Sequence, residues 1–254
     1  MKAWGITDVG FRRRENQDSY AYEAFGAPHS IVAVVCDGMG GVNGGRLAST
    51  LAVSTYLDTL HLLAKPEMTV EQVDEMQRFC IAQANRAVFE RSLEREDYRG
   101  MGTTLVSAVV SRDVAVVANV GDSRAYHIGA HGIRRVSKDH SVVAEMIASG
   151  EITPEQARTH PNRNLITRAL GPDAEILCDT YVVPFAQGDS LLLCTDGVTG
   201  TARDEELLRT VRDAADGEAA LALLLELVKS RGAPDNVTAV LIRNDGSEGV
   251  SAIG

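Results

Sequence analysis

The stretch Val34–Gly41, VVCDGMGG, sets the end of an apolar run against one carboxylate, followed by three glycines around a methionine. A carboxylate at the end of a buried run is costly unless something compensates it. The glycines behind it mean that the backbone bends hard there or comes close to another group. The question is what Asp37 holds. Outward from it, residues 30–36 read as a strand, and so do 102–111, 113–120, 190–195 and 236–243, all rich in Val, Ile, Leu and Thr. Another strand follows Asp18. Only Ser111, Arg112 and Asp113 separate Val110 from Val114, which predicts a hairpin and antiparallel pairing.

Helices are equally clear. Residues 69–96 place Val73, Met76, Cys80, Ala84 and Ala87 at three-and-four spacing, behind a capping box of Thr69 and Gln72. Residues 44–63 and 218–232 give two more, the last stopped by Gly232. Residues 139–171 differ. They are polar, contain His140 and His160, and read as a short helix ending at Gly150 and a second opening at Pro154. This is a small insertion that packs only partly on the core. Strictly alternating strands and helices are absent, so the expectation is an α+β chain, with packed sheets covered by helices. Residues 1–244 are expected to form one domain, with 245–254 a loose, small and polar tail.

Composition narrows the function. The 254 residues are 44% hydrophobic and 24% charged, as in ordinary globular proteins. With 25 basic and 35 acidic residues the net charge is -10, which argues against nucleic acid or an anionic membrane as partner. That balance suits a bound cation. The four cysteines, Cys36, Cys80, Cys178 and Cys194, form no CxxC pair, so a reducing compartment is expected. The first 18 residues hold no apolar leader, and the apolar run 221–228 is too short to span a bilayer. A cytoplasmic monomer is the expectation.

Three aspartates follow strands: Asp37, Asp122 and Asp196. Two precede strands: Asp18 and Asp235. In antiparallel sheets the end of one strand lies beside the start of the next, so all five carboxylates can gather at one rim. Left alone they would repel one another and resist ionising. A hard divalent cation such as Mg2+ or Mn2+, with its preference for oxygen ligands, reverses that. Any one Asp-Gly pair also reads simply as a turn, and composition alone leaves the two readings level.

The motifs TDVGFRRRENQDS, VVCDGMGG, MGTTL, VGDSRAY, SKDHSVV, CTDG and PDNVT, in this order over residues 3–243, resemble the metal-dependent 2C-type serine/threonine protein phosphatases, in their compact bacterial branch. The resemblance implies a central β-sandwich of two antiparallel sheets flanked by helix pairs, with residues 139–171 as a flap beside the active site. It implies a binuclear Mn2+ or Mg2+ site that activates water against phosphoserine and phosphothreonine. By motif position Asp37 bridges both ions, Gly38 supplies a carbonyl to one, and Asp196 and Asp235 complete the other. Asp18 holds water on the metals, Asp122 with Asp196 takes a weaker third ion, and Arg13 grips the phosphate. The partners implied are phosphorylated proteins that a cognate bacterial serine/threonine kinase modifies.

Some positions depart from that pattern. Gln17 stands where the family often has glutamate, which removes a charge near the metals. Met39 stands where many eukaryotic members have a histidine, so a general acid must come from elsewhere or from water. His160 is a candidate substitute, though a structural or substrate-facing role is the preferred reading. From its neighbours alone, Arg13 within the run of three arginines reads first as a surface arginine. An aspartyl-phosphate mechanism at Asp37 would need a second acid at position 39, and GMGGVNGG lacks the lysine of a phosphate-binding P-loop.

Overall fold

The structure, a computed structural model, describes residues 1–25, 30–246 and 251–252. Its strands are β1 (Lys2–Asp8), β2 (Asp18–Ala24), β3 (Ile31–Met39), β4 (Gly102–Thr103), β5 (Leu105–Val110), β6 (Val114–Val120), β7 (Arg124–Gly129), β8 (Gly132–Arg135), β9 (Asp179–Pro184), β10 (Ser190–Cys194), β11 (Val237–Arg243) and β12 (Ser251–Ala252). Its helices are α1 (Gly41–Leu63), α2 (Val70–Ser92), α3 (Val142–Ala148), α4 (Pro154–Thr159), α5 (Asp196–Thr199), α6 (Asp204–Asp213) and α7 (Gly217–Ser230). One sheet runs β12-β1-β11-β10-β7-β8 and the other β2-β3-β5-β6-β9, with β4 continuing the edge of β3. The pairing is antiparallel except for the short parallel contact of β12 with β1.

The expected sandwich with a helix pair on each outer face is therefore present, and the alternation of side chains explains it. On β3, Ile31, Ala33 and Val35 point between the sheets, while Val32, Val34 and Cys36 point to α1 and α2. On β10, Leu191 and Leu193 face the other sheet, while Leu192 and Cys194 face α6 and α7. Because helices cover the outer faces, these antiparallel strands are buried on both sides and read as continuous apolar runs. The chain thus has three stacked apolar layers: helices on sheet, sheet on sheet, and sheet on helices.

Several expectations need correction. The strand expected to stop at Cys36 continues through Met39, because Gly38 and Met39 pair with Thr103 and Gly102. The run 102–111 breaks at Thr104, whose hydroxyl, not its carbonyl, accepts the Asp37 N–H at 2.9 Å. The long second helix ends at Ser92, and a short 3-10 turn follows at Glu96–Tyr98. The capping box of Thr69 with Gln72 forms as the sequence predicts, α4 opens at Pro154 as expected, and a second box, Thr153 with Gln156, closes its start. Of the tail expected to be loose, Ser251–Ala252 pair with β1, and 247–250, 253 and 254 lie outside the described residues.

One buried polar side chain ties four of these elements together. The Gln77 carbonyl accepts hydrogen bonds from the Tyr56 hydroxyl and the Ser107 hydroxyl, both at 2.9 Å, and its amide donates to the Val116 carbonyl at 2.9 Å. It fastens α2 to α1 and to the sheet beneath. Gln77→Leu keeps the shape but orphans buried partners. Urea unfolding should show a loss of about 2–4 kcal/mol, since each unsatisfied buried group costs about 1–3 kcal/mol. A loss below about 0.5 kcal/mol, the size of an ordinary surface substitution, would remove Gln77 from that role.

Candidate metal centre

The register brings the five aspartates to one end of the sandwich. Asp18 opens β2 directly opposite Asp37 in β3. Asp196 follows β10 and Asp235 precedes β11, the adjacent strand of the other sheet. Asp122 sits in the short link by which the chain leaves β6 in one sheet for β7 in the other. Between them opens a cavity of about 530 Å3 lined by Asp37, Gly38, Asp122, Asp196, Asp235 and Arg13, among others. Asp18 lies buried beside it.

Neutral groups hold the backbone of this rim. The Asp37 carbonyl accepts from the Thr104 N–H and from the Thr103 hydroxyl, both at 2.9 Å. The Gly38 N–H donates to the Gln17 carbonyl at 3.1 Å, and a Cβ on Gly38 would lie 2.1 Å from the Gly45 carbonyl. Only glycine therefore lets the first turn of α1 approach the end of β3. Asn236 accepts the Gln17 N–H at 2.9 Å and donates to the Val9 and Glu15 carbonyls at 2.9 and 3.0 Å. It stitches the arginine-rich loop to the strand that carries Asp235. The Thr195 hydroxyl donates to Asp18 Oδ2 at 3.0 Å and accepts the Thr238 N–H at 3.1 Å.

The carboxyls themselves are held against their preference. Burial, opposed by hydrogen bonds from Thr238 and Thr195 and reinforced by Asp196 and Asp235, pushes Asp18 up to about 7. Burial, then Asp196 and Asp139, pushes Asp122 up to about 8, with Arg124 pulling the other way. Burial and the charges of Asp18, Asp196, Asp122 and Asp235 drive Asp37 well above the carboxylate range. Asp196 moves in the same direction for the same causes, burial first and then Asp235. Two buried carboxylate oxygens, Asp18 Oδ1 and Asp196 Oδ1, have no hydrogen-bond partner.

These observations fit a hard cation. The donors are all oxygen, the charges repel, and two buried oxygens are orphaned where an ion would satisfy them. Among the described residues no three acidic, imidazole or thiol groups are already drawn into a finished ligand set. Arg13 Nε and Nη2 each reach an Asp235 oxygen at 2.8 Å. The expected phosphate-gripping arginine is thus paired with an expected metal ligand at the mouth of the cavity.

His160 is not brought to the cavity. It caps the end of α4, and its Nδ1 accepts the Asn162 N–H at 3.1 Å. From the flap it is Asn164 and Ile166 that line the cavity. Gln17 and Met39 do line it. The sequence reading missed Thr104, Thr195 and Asn236. Each lies inside a recognised motif, next to an aspartate or one strand away, and that adjacency was the available signal.

A sandwich of this plan with acids massed at one end is the architecture of the metal-dependent phosphatases. Comparison with known proteins agrees. The family model for protein phosphatase 2C matches residues 12–241. The serine/threonine phosphatase stp of Listeria monocytogenes is 36% identical over 255 residues, covering 96% of each chain. The crystal structure of a bacterial serine phosphatase superposes with a TM-score of 0.88 at 34% identity, over 96% of this chain and 98% of that one. The serine/threonine phosphatase Stp1 of Staphylococcus aureus does so with a TM-score of 0.87 at 34% identity, over 94% and 93%. The chain belongs to the protein phosphatase 2C family, whose members are metal-dependent phosphatases.

The raised carboxyls make a pH prediction for the metal-free protein. In the unfolded chain an aspartate titrates near 3.9. Folding raises Asp18 to about 7 and Asp122 to about 8. Between those values the folded state binds more protons than the unfolded one, so stability falls as pH rises. It is intact below about pH 4 on this account, and the loss is complete above about pH 8. Urea unfolding in EDTA at pH 5.5 and pH 8.5 should show the metal-free protein weaker at the higher pH. Added Mn2+ should abolish the difference. Equal stability at both pH values without metal would mean that the acids do not crowd one another.

Proposed function

We propose that the chain removes phosphate from phosphoserine and phosphothreonine in proteins at this cavity. The observation that carries the proposal is the massing of Asp18, Asp37, Asp122, Asp196 and Asp235 at one end of the sandwich, with Arg13 at the mouth. We assign Asp37, Asp196 and Asp235, with the Gly38 carbonyl, to a pair of Mn2+ or Mg2+ ions, and Asp122 with Asp196 to a weaker third ion. When bound, the pair supplies water acidified to near-neutral pKa and offsets the charge of the phosphate.

The residues of the chain do the positioning. Strands β3, β10 and β11 and the short links at their ends fix the carboxylates, so little reorganises during reaction. Asp18 has one oxygen fixed by the Thr195 hydroxyl and the other buried without a partner, and we assign to it the holding of the attacking water. The planar fork of Arg13 matches two phosphate oxygens as well as it matches the Asp235 carboxylate. To bind substrate it exchanges one for the other. Met39 leaves no acid two residues beyond Asp37, which argues against a phosphoenzyme.

The names of the relatives, serine/threonine phosphatases of Listeria and Staphylococcus, support the substrate class. On the same reading the chain acts as one catalytic domain over residues 1–244, as a cytoplasmic monomer, on targets of a cognate bacterial kinase. Among the described residues no helix is long and apolar enough to cross a membrane. The net charge of -10 argues against nucleic acid as a partner.

Purified protein should release phosphate from phosphothreonine peptides with Mn2+ and lose that activity in EDTA. Asp37→Asn should fold and lose nearly all turnover, and calorimetry should show a tight Mn2+ site gone. Full activity after exhaustive metal removal would sink the assignment. Arg13 is tested separately. A hydrogen bond to a charged group contributes about 1.5–3 kcal/mol, so Arg13→Ala should lower kcat/KM for phosphopeptide by about ten- to a hundredfold. Its metal titration should stay close to the parent. Unchanged kinetics would leave Arg13 as a partner of Asp235 alone.

A further inference from the structure

Just before α3 the start of the flap meets the link that carries Asp122 through a buried side chain, His140. Its backbone N–H donates to the Gly121 carbonyl at 2.9 Å. In return the Gly121 N–H donates to His140 Nδ1 at 3.1 Å. His140 therefore meets both polar groups of Gly121, and the carbonyl, which also accepts from the Asn119 amide at 3.2 Å, belongs to the peptide that leads into Asp122. Because Nδ1 accepts, the neutral imidazole carries its proton on Nε2, which lies 3.3 Å from Asp179 Oδ2 and 3.3 Å from Arg168 Nη1. Arg168 Nη1 reaches the other Asp179 oxygen at 3.0 Å. The His140 carbonyl accepts the Thr167 N–H at 2.8 Å. Four segments thus meet on this residue: the link after β6, the start of the flap, its later segment at Thr167, and β9.

Gly121 needs this hold. Its φ of +102° is open to glycine and strained for other residues, and a Cβ there would lie 2.6 Å from the Thr104 side chain. On the far side of Asp122, the Ser123 hydroxyl is 2.7 Å from the Thr104 hydroxyl, the same group that accepts the Asp37 N–H. Asp122 is clamped from both sides, by His140 through Gly121 and by Thr104 through Ser123. Without the imidazole the Gly121 N–H loses its partner, and Gly121 keeps only its carbonyl contacts, from the His140 backbone N–H at 2.9 Å and the Asn119 amide at 3.2 Å. Burial also holds the imidazole below its ordinary titration range, which keeps Nδ1 available as an acceptor.

We propose that His140 is a positioning residue that fixes the peptide carrying Asp122 and ties its carboxylate to the docking of the flap. The proposal rests on the reading of Asp122 as a ligand of the weaker cation. Three variants separate the possible roles. Asparagine at 140 places a carbonyl oxygen near the position of Nδ1 and keeps the bond from Gly121. Glutamine places its amide near Nε2, facing Asp179, and loses that bond. Alanine loses both.

The first readout needs neither metal nor activity: hydrogen exchange of the Gly121 amide, followed by NMR in EDTA. Losing a buried hydrogen bond should speed it about tenfold in His140→Ala and His140→Gln, while His140→Asn stays near the parent. The second readout is Mn2+ titration by calorimetry. The weakest binding step should be lost in the alanine and glutamine variants and restored in the asparagine variant, with the tight steps unchanged. With phosphopeptide, kcat should fall about tenfold in the two defective variants while KM stays within about twofold, since the phosphate grip at Arg13 is untouched. Should alanine fail to fold, the asparagine and glutamine pair still decides. If glutamine matches asparagine in exchange and weak-metal binding, or if alanine matches the parent, the proposal is wrong. If Asp122→Ala leaves every Mn2+ step intact, the ligand reading of Asp122 fails instead, and Gly121 exchange still reports whether His140 holds the link.

Discussion

The molecule is organised around an unfavourable act: it holds five aspartates at the end of two apolar sheets. Burial and mutual repulsion push Asp37 and Asp196 up, and take Asp18 to about 7 and Asp122 to about 8. Such a cluster cannot stabilise the fold by itself. It persists because the rest of the structure fixes the backbone regardless of the charge. The three apolar layers hold the strands in register, and Thr104, Thr195 and Asn236 satisfy backbone groups and Asp18 without adding charge. The rim is therefore placed by hydrophobic packing and neutral hydrogen bonds, leaving the carboxylates with unspent affinity for cations.

Arg13 is the counterpart of that arrangement. Its pairing with Asp235 relieves the acid nearest the mouth, at a position that is half-exposed and therefore weakly held. Arg124, less exposed than Arg13, is held to its acid more fully, by Nε and Nη2 on the buried Asp139. A pair at the mouth can instead be exchanged. The same guanidinium can serve as a temporary counter-ion for Asp235 and as a phosphate ligand, because carboxylate and phosphate offer it the same two-oxygen face.

How much of this could be read from sequence follows from burial. Strands β3, β5, β6, β10 and β11 were legible because they are buried on both faces and read as unbroken apolar runs. β8 and β9 are edge strands with mixed patterns, GIRR and DTYVVP, whose polar positions conceal the period. The ten-residue α6, DEELLRTVRD, went unread although its apolar stripe faces the core. The acids were legible as a set because strand ends in antiparallel sheets meet by rule. What local reading could not supply was pairing across the chain. Arg13 finds Asp235 over a sequence separation of 222, and Gln77 finds Ser107 and Val116 only once helix and sheet dock. His160 drew attention as a histidine in a polar insertion, yet helix geometry turns it into a cap, and Asn164 and Ile166 reach the cavity instead.

The division of the acids between the sheets explains why the site needs the whole sandwich. Asp18 and Asp37 belong to one sheet, and Asp196 and Asp235 flank strands of the other. Their separation is set by how the two inner faces interlock, through Val35, Val106, Leu193 and Val240 among others. A close-packed interface of this kind resists sliding, because any shift opens voids or forces overlaps. Asp122 lies on the crossing between the sheets, so it has no strand of its own to fix it and depends on neighbours for its position. That is why its link is the part of the rim carrying a strained glycine, reciprocal bonds to the flap and a shared hydroxyl with Thr104. The carboxylates on strands owe their positions to the core. The one between the sheets owes its position to polar contacts, and through them to the flap.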